Sequence, residues 1–281
     1  MKLNAPIAPR QEHVWERPTG NIHDPWAWLR NKNDPNTIAY LDDENAYANQ
    51  WFTQCEPSIN TLFEEIKSRV QETDMSVPTQ HGPWWYVSKT IEGLAYGVHC
   101  RGLSKETAGE HIILDENVEA SDEEYFSLGV AEISSNHALL AWSYDTDGSE
   151  QYTMRIRNLV DGTDLPDVLH DTSYGGTAFS ADNQYLFYVV NDEALRPFRV
   201  MRHQMGAPQS SDVQVYEDLD ERFFVGLGLT RSGNYIIIES SCRTTSEAHV
   251  IDAHNPLTSP MCARPREEGL EYSIDDWGSS F

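Results

Sequence analysis

The sequence is poor in cysteine, and none of its cysteines is placed like a metal ligand or a disulfide partner. Four occur in 281 residues, Cys55, Cys100, Cys242 and Cys262, and no two form a CxxC pair. This spacing argues against a zinc motif and against the disulfide framework of a small secreted protein. We therefore expect four unpaired, buried thiols in a protein that needs no metal or other cofactor.

Long apolar runs are also missing. No segment approaches the roughly 20 apolar residues that a helix needs to cross a bilayer. The N-terminal residues 1–13 contain no apolar stretch of the kind found in a signal peptide. The sequence predicts a cytoplasmic protein without membrane contact.

Positive charge is scarce. The chain has 20 Lys and Arg against 45 Asp and Glu, a formal net charge of −25. Such a surface repels phosphate backbones, so we expect no nucleic-acid partner. It can attract cationic peptides, or it can serve only to keep the protein in solution. Charge alone leaves both interpretations open.

Motifs for catalysis and metal binding are absent as well. No serine lies in a GxSxG elbow, and the ten histidines form neither HExxH nor a helical i, i+4 pair. The segment DTDGSE (145–150) begins like a calcium loop but lacks the later acidic ligands, and it lies where a hairpin turn is needed. The sequence therefore predicts no catalytic, cofactor-binding or metal-binding residue in this chain.

What the sequence does contain is a diverged repeat of about fifty residues. Each copy is a polar turn, then a β-branched and aromatic run, then a second strand-like run. The three clearest copies are SSNHALLAWSY (134–144), SADNQYLFYVV (180–190) and TRSGNYIIIESS (230–241). A hairpin repeated at this period is typical of the blades of a β-propeller.

The repeat predicts a mainly β fold with an incomplete propeller of about four blades. Residues 272–281 resemble the start of one more copy, so we expect a fragment of a fifth blade. Gly175 and Gly176 are expected in a loop that lets the chain enter the next strand. The expected blades cover residues 84–115, 125–169, 174–216 and 223–262.

The chain before residue 73 has helical periodicity instead. Asp34 and Pro35 are placed to begin one helix, and Ser58 to cap a second. We therefore divide the chain into a helical segment, 1–72, and a propeller domain, 73–281. Two such helices cannot bury their own apolar stripes, so the propeller or a domain outside this chain should cover them. The stripes comprise Ile38, Leu41, Asn45, Ala48 and Phe52, then Ile59, Leu62, Phe63, Ile66 and Val70.

The segment HDPWAWLRNKNDPNTIAYLDDENAYANQWF (23–52) resembles the N-terminal signature of the prolyl oligopeptidase family. Trp26 stands where that family commonly has Tyr, which keeps an aromatic ring. Residues 124–162, 191–206 and 220–253 resemble the oligopeptidase B (protease II) branch. The residues that carry the signature are Asp24, Trp28, Leu29, Arg30, Tyr40, Leu41, Glu44 and Asn45.

The resemblance implies a serine peptidase that cleaves short peptides after Lys or Arg. In that family a seven-bladed propeller caps a C-terminal α/β-hydrolase domain, which carries the catalytic triad, and the N-terminal helices pack on that domain. No triad residue maps onto this chain, which is expected to be inactive alone. We expect its propeller to gate access to a hydrolase domain present in cis or in trans. The alternative is a non-catalytic propeller-like module that binds a peptide or protein.

Carboxylates at the blade turns are the candidates for attracting basic peptides. If the propeller lines a substrate chamber, some of its negative charge should face that chamber. The alternative is that these carboxylates are solvated turn residues with no role in attracting peptides. The candidates are Asp145, Asp147, Glu193, Asp218, Asp220 and Glu221.

Overall fold

The computed structural model describes residues 4–278 and 280–281, and the chain divides into two units between Gln71 and Glu72. The N-terminal unit contains a short hairpin and two helices. Their bounds are β1 (Val14–Trp15), β2 (Ile22–His23), a 3-10 turn (Ala27–Arg30), α1 (Pro35–Thr53) and α2 (Glu56–Lys67). No helix in the described residues is long and apolar enough to cross a membrane.

The start of α1 was predicted correctly, and the start of α2 was not. The Asp34 carboxylate accepts the backbone N–H of Asn36 at 2.8 Å, and Pro35 opens the helix. The cap predicted at Ser58 is wrong, because α2 begins earlier, with Cys55 as its N-cap. Pro57 lies within the first turn, where its missing N–H costs no hydrogen bond, so the helix extends in front of it.

The second unit consists almost entirely of antiparallel strands. The first sheet holds β3 (Asp74–Met75), β4 (Thr79–His81), β5 (Trp84–Thr90), β6 (Val98–Gly102) and β7 (His111–Asp115), followed by α3 (Glu116–Glu119). The next strands are β8 (Ser127–Ile133), β9 (Leu139–Asp145), β10 (Tyr152–Asn158), β11 (Asp164–Phe179), β12 (Tyr185–Asn191), β13 (Pro197–Gln204) and β14 (Val213–Glu217). The last are β15 (Phe224–Leu229), β16 (Tyr235–Ser241), β17 (Ser246–Asp252) and β18 (Met261–Arg264).

These strands form four propeller blades, which confirms the predicted mainly β, partial-propeller fold. The first blade is β3 to β7 and the fourth is β15 to β18, while β8 to β14 form one seven-stranded sheet that contains the second and third. The first blade has two strands that were not predicted, β3 and β4. They are only two and three residues long, too short to show an apolar alternation.

The long strand β11 belongs to two blades. Its residue Thr172 pairs with Tyr152 of β10 on one side and with Val190 of β12 on the other. The loop expected at Gly175 and Gly176 is instead an irregularity inside this strand, where the register shifts. Gly176 has a φ of 80°, and a Cβ there would come within 2.7 Å of the Val189 side chain. Only glycine fits this bend.

Apolar side chains fill the space between neighbouring blades. Phe187 and Val200 of the third blade pack with Ile236 and Ile238 of the fourth, all fully buried. Strand β11 also contacts β8 and β15, which brings the innermost strands of three blades side by side, as around a propeller axis.

The predicted fragment of a fifth blade forms no strand in residues 265–278, 280 and 281. The segment instead follows the fourth blade, where the Tyr272 hydroxyl accepts the N–H of Ala248 at 2.9 Å. The ring of Phe281 packs against Tyr235 with centroids 4.8 Å apart.

All four cysteines are free thiols, but the expectation that they are buried holds only for Cys100. Cys55 and Cys242 are half-buried and Cys262 is exposed.

Candidate functional site

Two hairpin turns and one connection between blades meet at the same edge of the propeller, which we call the acidic edge (residues 145–151, 192–196 and 218–223). The β9–β10 and β12–β13 turns both lie next to Thr172, the residue that pairs with β10 and with β12. The Arg196 guanidinium then joins the second turn to the connection, donating to the backbone carbonyls of Asp218, Asp220 and Phe223.

The turns between the first two strands of each blade lie at the opposite edge. Ser135 donates its hydroxyl to Ala181 O and Asn183 Oδ1, both at 3.2 Å, which connects the second blade to the third. Ala181 N–H donates to Ala253 O at 2.8 Å and so reaches the fourth. The six candidate carboxylates all belong to the loops of the acidic edge, so none of them lies at this opposite edge.

Asp145 is at the acidic edge but cannot meet a substrate, because it is only 2% exposed. Its carboxylate accepts the backbone N–H groups of Asp147 and Gly148 at 3.0 Å and of Glu150 at 2.9 Å. It closes the β9–β10 turn, which confirms that DTDGSE is a hairpin turn. The prediction that Asp145 attracts peptides is wrong, since its negative charge is used within the turn.

Asp218 is buried as well, at 6% exposure. It accepts hydrogen bonds from the Ser240 hydroxyl and from the Arg266 guanidinium. Burial raises the pKa of this carboxyl, but the bonds from Ser240 and Arg266 outweigh it and hold the pKa below its usual value. The peptide-attracting role predicted for Asp218 is therefore wrong too, because the half-buried Arg266 guanidinium already neutralises its charge.

Asp220 and Asp147 are more open but are bound locally. The Arg222 guanidinium donates to Asp220 at 2.7 Å and lowers the pKa of that carboxyl to about 2. Asp147 accepts the N–H of Ser149 at 2.9 Å, and bonds from Ser149 lower its pKa. Asp147 stays ionised and exposed, whereas the charge of Asp220 is balanced by its neighbour.

Glu193 and Glu221 are exposed at the tips of their loops. With Asp147 they are the candidates that keep a free negative charge facing solvent. Of the six predicted carboxylates, three therefore remain candidates for attracting basic peptides, one in each loop of the acidic edge.

Two arginines that position these loops were not identified from the sequence. Arg196 is 8% exposed, and its Nε donates to Asp192 at 2.8 Å in addition to the three carbonyl bonds. Arg266 lies over the ring of Phe223 at 3.5 Å while it binds Asp218. A single arginine in a polar loop gives no sequence signal, because its role depends on carbonyls more than twenty residues away.

The N-terminal unit offers a second candidate surface, the helix stripe, defined as the exposed apolar side chains of α1, α2 and Val70. Helix α2 has no buried residue, and Thr37 is the buried residue of α1. Leu62, Phe63 and Ile66 are each more than half exposed. The stripe comprises Ile38, Leu41, Trp51, Phe52, Ile59, Leu62, Phe63, Ile66 and Val70.

The fold and the two surfaces define a propeller-bearing protein with an acidic edge and an apolar helical segment. Residues 6–281 match the family described as "Prolyl oligopeptidase, N-terminal beta-propeller domain". The chain belongs to the prolyl oligopeptidase family, of which it contains the N-terminal propeller region.

Two curated relatives match nearly the whole chain. Protease 2 of Moraxella lacunata is 31% identical over 99% of this chain and 41% of its own length. Dipeptidyl aminopeptidase BI of Pseudoxanthomonas mexicana is 33% identical over 97% of this chain and 40% of its own. The chain therefore spans about two fifths of the length of these relatives.

Solved structures of oligopeptidase B have the same fold. The enzyme from Leishmania major superposes with a TM-score of 0.91 at 27% identity, covering 99% of this chain and 42% of that one. The closed form from Trypanosoma brucei with covalently bound antipain gives 0.87 at 32% identity, covering 98% and 41%.

Proposed function

We propose that this chain is the propeller portion of an oligopeptidase-B-like serine peptidase that hydrolyses short peptides after Lys or Arg. The propeller admits small peptides to an α/β-hydrolase domain, supplied in cis or in trans, and excludes folded proteins. The observation that most supports this is the superposition of nearly the whole chain on oligopeptidase B at a TM-score of 0.91.

The helix stripe is the surface that we propose for contact with the hydrolase domain. Exposed apolar patches of this kind mark protein interaction sites, because isolated soluble domains keep such patches small. Phe63 and Leu62 are 57% and 56% exposed and lie on consecutive positions of α2. Covering them would remove apolar surface from water, which favours association.

The acidic edge is the surface that we propose for attracting basic peptides. Asp147, Glu193 and Glu221 project from three neighbouring loops and carry charges that no arginine of the same loop neutralises. Negative charge along a cleft raises the local concentration of cationic ligands and their rate of association. We also propose a cytoplasmic location without nucleic-acid partners, consistent with free thiols and a net charge of −25.

The test supplies a hydrolase domain in trans. This chain is mixed with the part of Moraxella lacunata Protease 2 that lies outside the matched region, and cleavage of Arg-, Lys- and Ala-amides is measured. We expect turnover of the two basic substrates only in the mixture, because this chain contains no GxSxG serine. Comparing N-terminally blocked with free dipeptide amides separates endopeptidase activity from dipeptidyl aminopeptidase activity, which the name of the Pseudoxanthomonas mexicana relative states.

A matched pair of variants tests the helix stripe in the same assay. Phe63→Asp should weaken the association of this chain with the Protease 2 part at least about tenfold, since it places a charge in an apolar contact. Ile7→Asp is the control, because Ile7 is 88% exposed in the same unit but lies outside both helices. Equal association by both variants would remove the stripe from the proposal. Activity that is the same with and without this chain would refute the gating function.

A second pair tests the acidic edge. The double variant Glu193→Gln/Glu221→Gln is compared with Glu106→Gln/Glu110→Gln, which neutralises two exposed glutamates in the β6–β7 turn at the opposite edge. We expect kcat/KM for a dibasic peptide to fall with added salt in the control, and to fall less steeply in the first variant. Identical salt dependence would reduce these glutamates to solvated turn residues.

A further inference from the structure

Three side chains of metal-ligand type meet on the outer strands of the fourth blade. Glu247 and His249 are two residues apart on β17, so they lie on the same face of the sheet. Cys262 of β18 stands directly opposite His249 in the ladder. One ligand atom from each of the three residues lies within 4.8 Å of the other two.

The neighbouring residues hold two of these ligands in orientation. The backbone N–H of Arg266 donates to Glu247 Oε2 at 2.8 Å, which leaves Oε1 facing His249 Nε2 at 2.9 Å. Tyr216 of the third blade packs on the imidazole with ring centroids 4.8 Å apart. Supporting contacts of this kind are typical of metal ligands, since they fix the direction of the donor atom before the ion binds.

We propose that Glu247, His249 and Cys262 form a binding site for Zn²⁺. Thiolate, imidazole and carboxylate are the three ligand types that zinc accepts, whereas calcium and magnesium require oxygen ligands throughout. Three protein ligands leave a fourth tetrahedral position for water. Cys262 is exposed, so the ion can enter from solvent.

A bound Zn²⁺ would cross-link β17 to β18, the outermost strand of the fourth blade. The sequence contains no zinc motif here, because strand pairing rather than sequence spacing brings Cys262 to His249.

The test uses Co²⁺ as a spectroscopic substitute for Zn²⁺, on the untagged chain. We expect one equivalent of Co²⁺ to give d–d absorption and a thiolate-to-cobalt charge-transfer band, and Zn²⁺ to displace it. Cys262→Ser should abolish the charge-transfer band, while Cys242→Ser, which removes a half-buried cysteine on the β16–β17 turn, should retain it. His249→Gln is compared in the same way with His254→Gln, an exposed histidine after β17.

The size of the loss in zinc affinity distinguishes a metal ligand from a residue that only supports a ligand. Removing Cys262 or His249 should raise the apparent Kd for Zn²⁺ by at least about 100-fold, beyond the 10- to 100-fold cost of losing a supporting contact. Absence of the charge-transfer band in the unmodified chain, or its survival in Cys262→Ser with unchanged circular dichroism, would overturn the proposal. Because this readout needs no peptidase activity, its outcome is independent of the proposed function.

Discussion

The two units differ in how far they bury their apolar side chains. In the unit from Glu72 onward, Phe187, Ile236 and Ile238 are 0% exposed between neighbouring blades. In the unit before it, Leu62 and Phe63 are more than half exposed although they follow a regular helical stripe. Blades cover each other, whereas the two helices present apolar surface that their own unit does not bury. Apolar periodicity therefore predicts which residues share a face, but it does not predict what covers them.

The largest effect should come from a matched pair of phenylalanines, one in each unit. Phe187→Ala removes a fully buried ring between the third and fourth blades and should cost about 3–5 kcal/mol in the free energy of unfolding. Phe63→Ala, at a position 57% exposed, should change it by less than about 0.5 kcal/mol. Urea unfolding followed by tryptophan fluorescence measures both, and comparable losses would contradict the contrast.

The next effect compares two arginines. Arg196→Ala leaves the carbonyls of Asp218, Asp220 and Phe223 without their shared donor and should cost about 2–4 kcal/mol. Arg69→Ala removes an exposed ion pair with Glu65 on the N-terminal unit and should cost less than about 0.5 kcal/mol. Thermal and urea denaturation provide the two values. An Arg196 variant as stable as the Arg69 variant would show that the acidic edge does not depend on this arginine.

A pH-dependent effect should follow from Glu132 on β8. Burial raises the pKa of this carboxyl to about 7 from an ordinary value of 4.5. Because the folded-state pKa is the higher one, the stability that this group contributes is complete below about pH 4.5 and is lost as the pH rises through 7. Glu132→Gln should therefore raise the free energy of unfolding by about 1–3 kcal/mol at pH 8 and leave it unchanged at pH 4.

The control for this pH effect is Glu64→Gln, at an exposed glutamate of α2. Unfolding curves of both variants are collected across that pH range. A gain in the Glu132 variant that does not depend on pH would mean that the ionisation of this carboxyl is not its cause.

The smallest effect concerns the exposed surface itself. A hydrophobic dye should bind the helix stripe, and Leu62→Asn should reduce its fluorescence roughly twofold by interrupting the patch. Leu219→Asn is the control, since Leu219 is 77% exposed but lies in the acidic edge, outside the stripe. Equal reductions would mean that isolated leucines, rather than a contiguous stripe, bind the dye.

Local chemistry was predictable from the sequence, and long-range burial was not. The Asp34 cap and the turn at 145–150 were predicted correctly, because each depends on residues within one turn of chain. The burial of Asp218 was not predicted, because its partners Ser240 and Arg266 are more than twenty residues away in the sequence. The zinc ligands gave no signal for the same reason, since strand pairing brings Cys262 to His249.

Strand β11 has a consequence for how this propeller can be rearranged in evolution or by design. A blade is usually regarded as a module that can be duplicated, deleted or exchanged as a unit. Here the outer strand of the second blade continues without interruption into the inner strand of the third. A recombination point between them would cut that strand and leave an unpaired edge on each half. A single blade of this region can therefore be exchanged with β11 intact only if the cut points lie in hairpin turns, such as those before β9 and β12, and not at the boundary between the two blades.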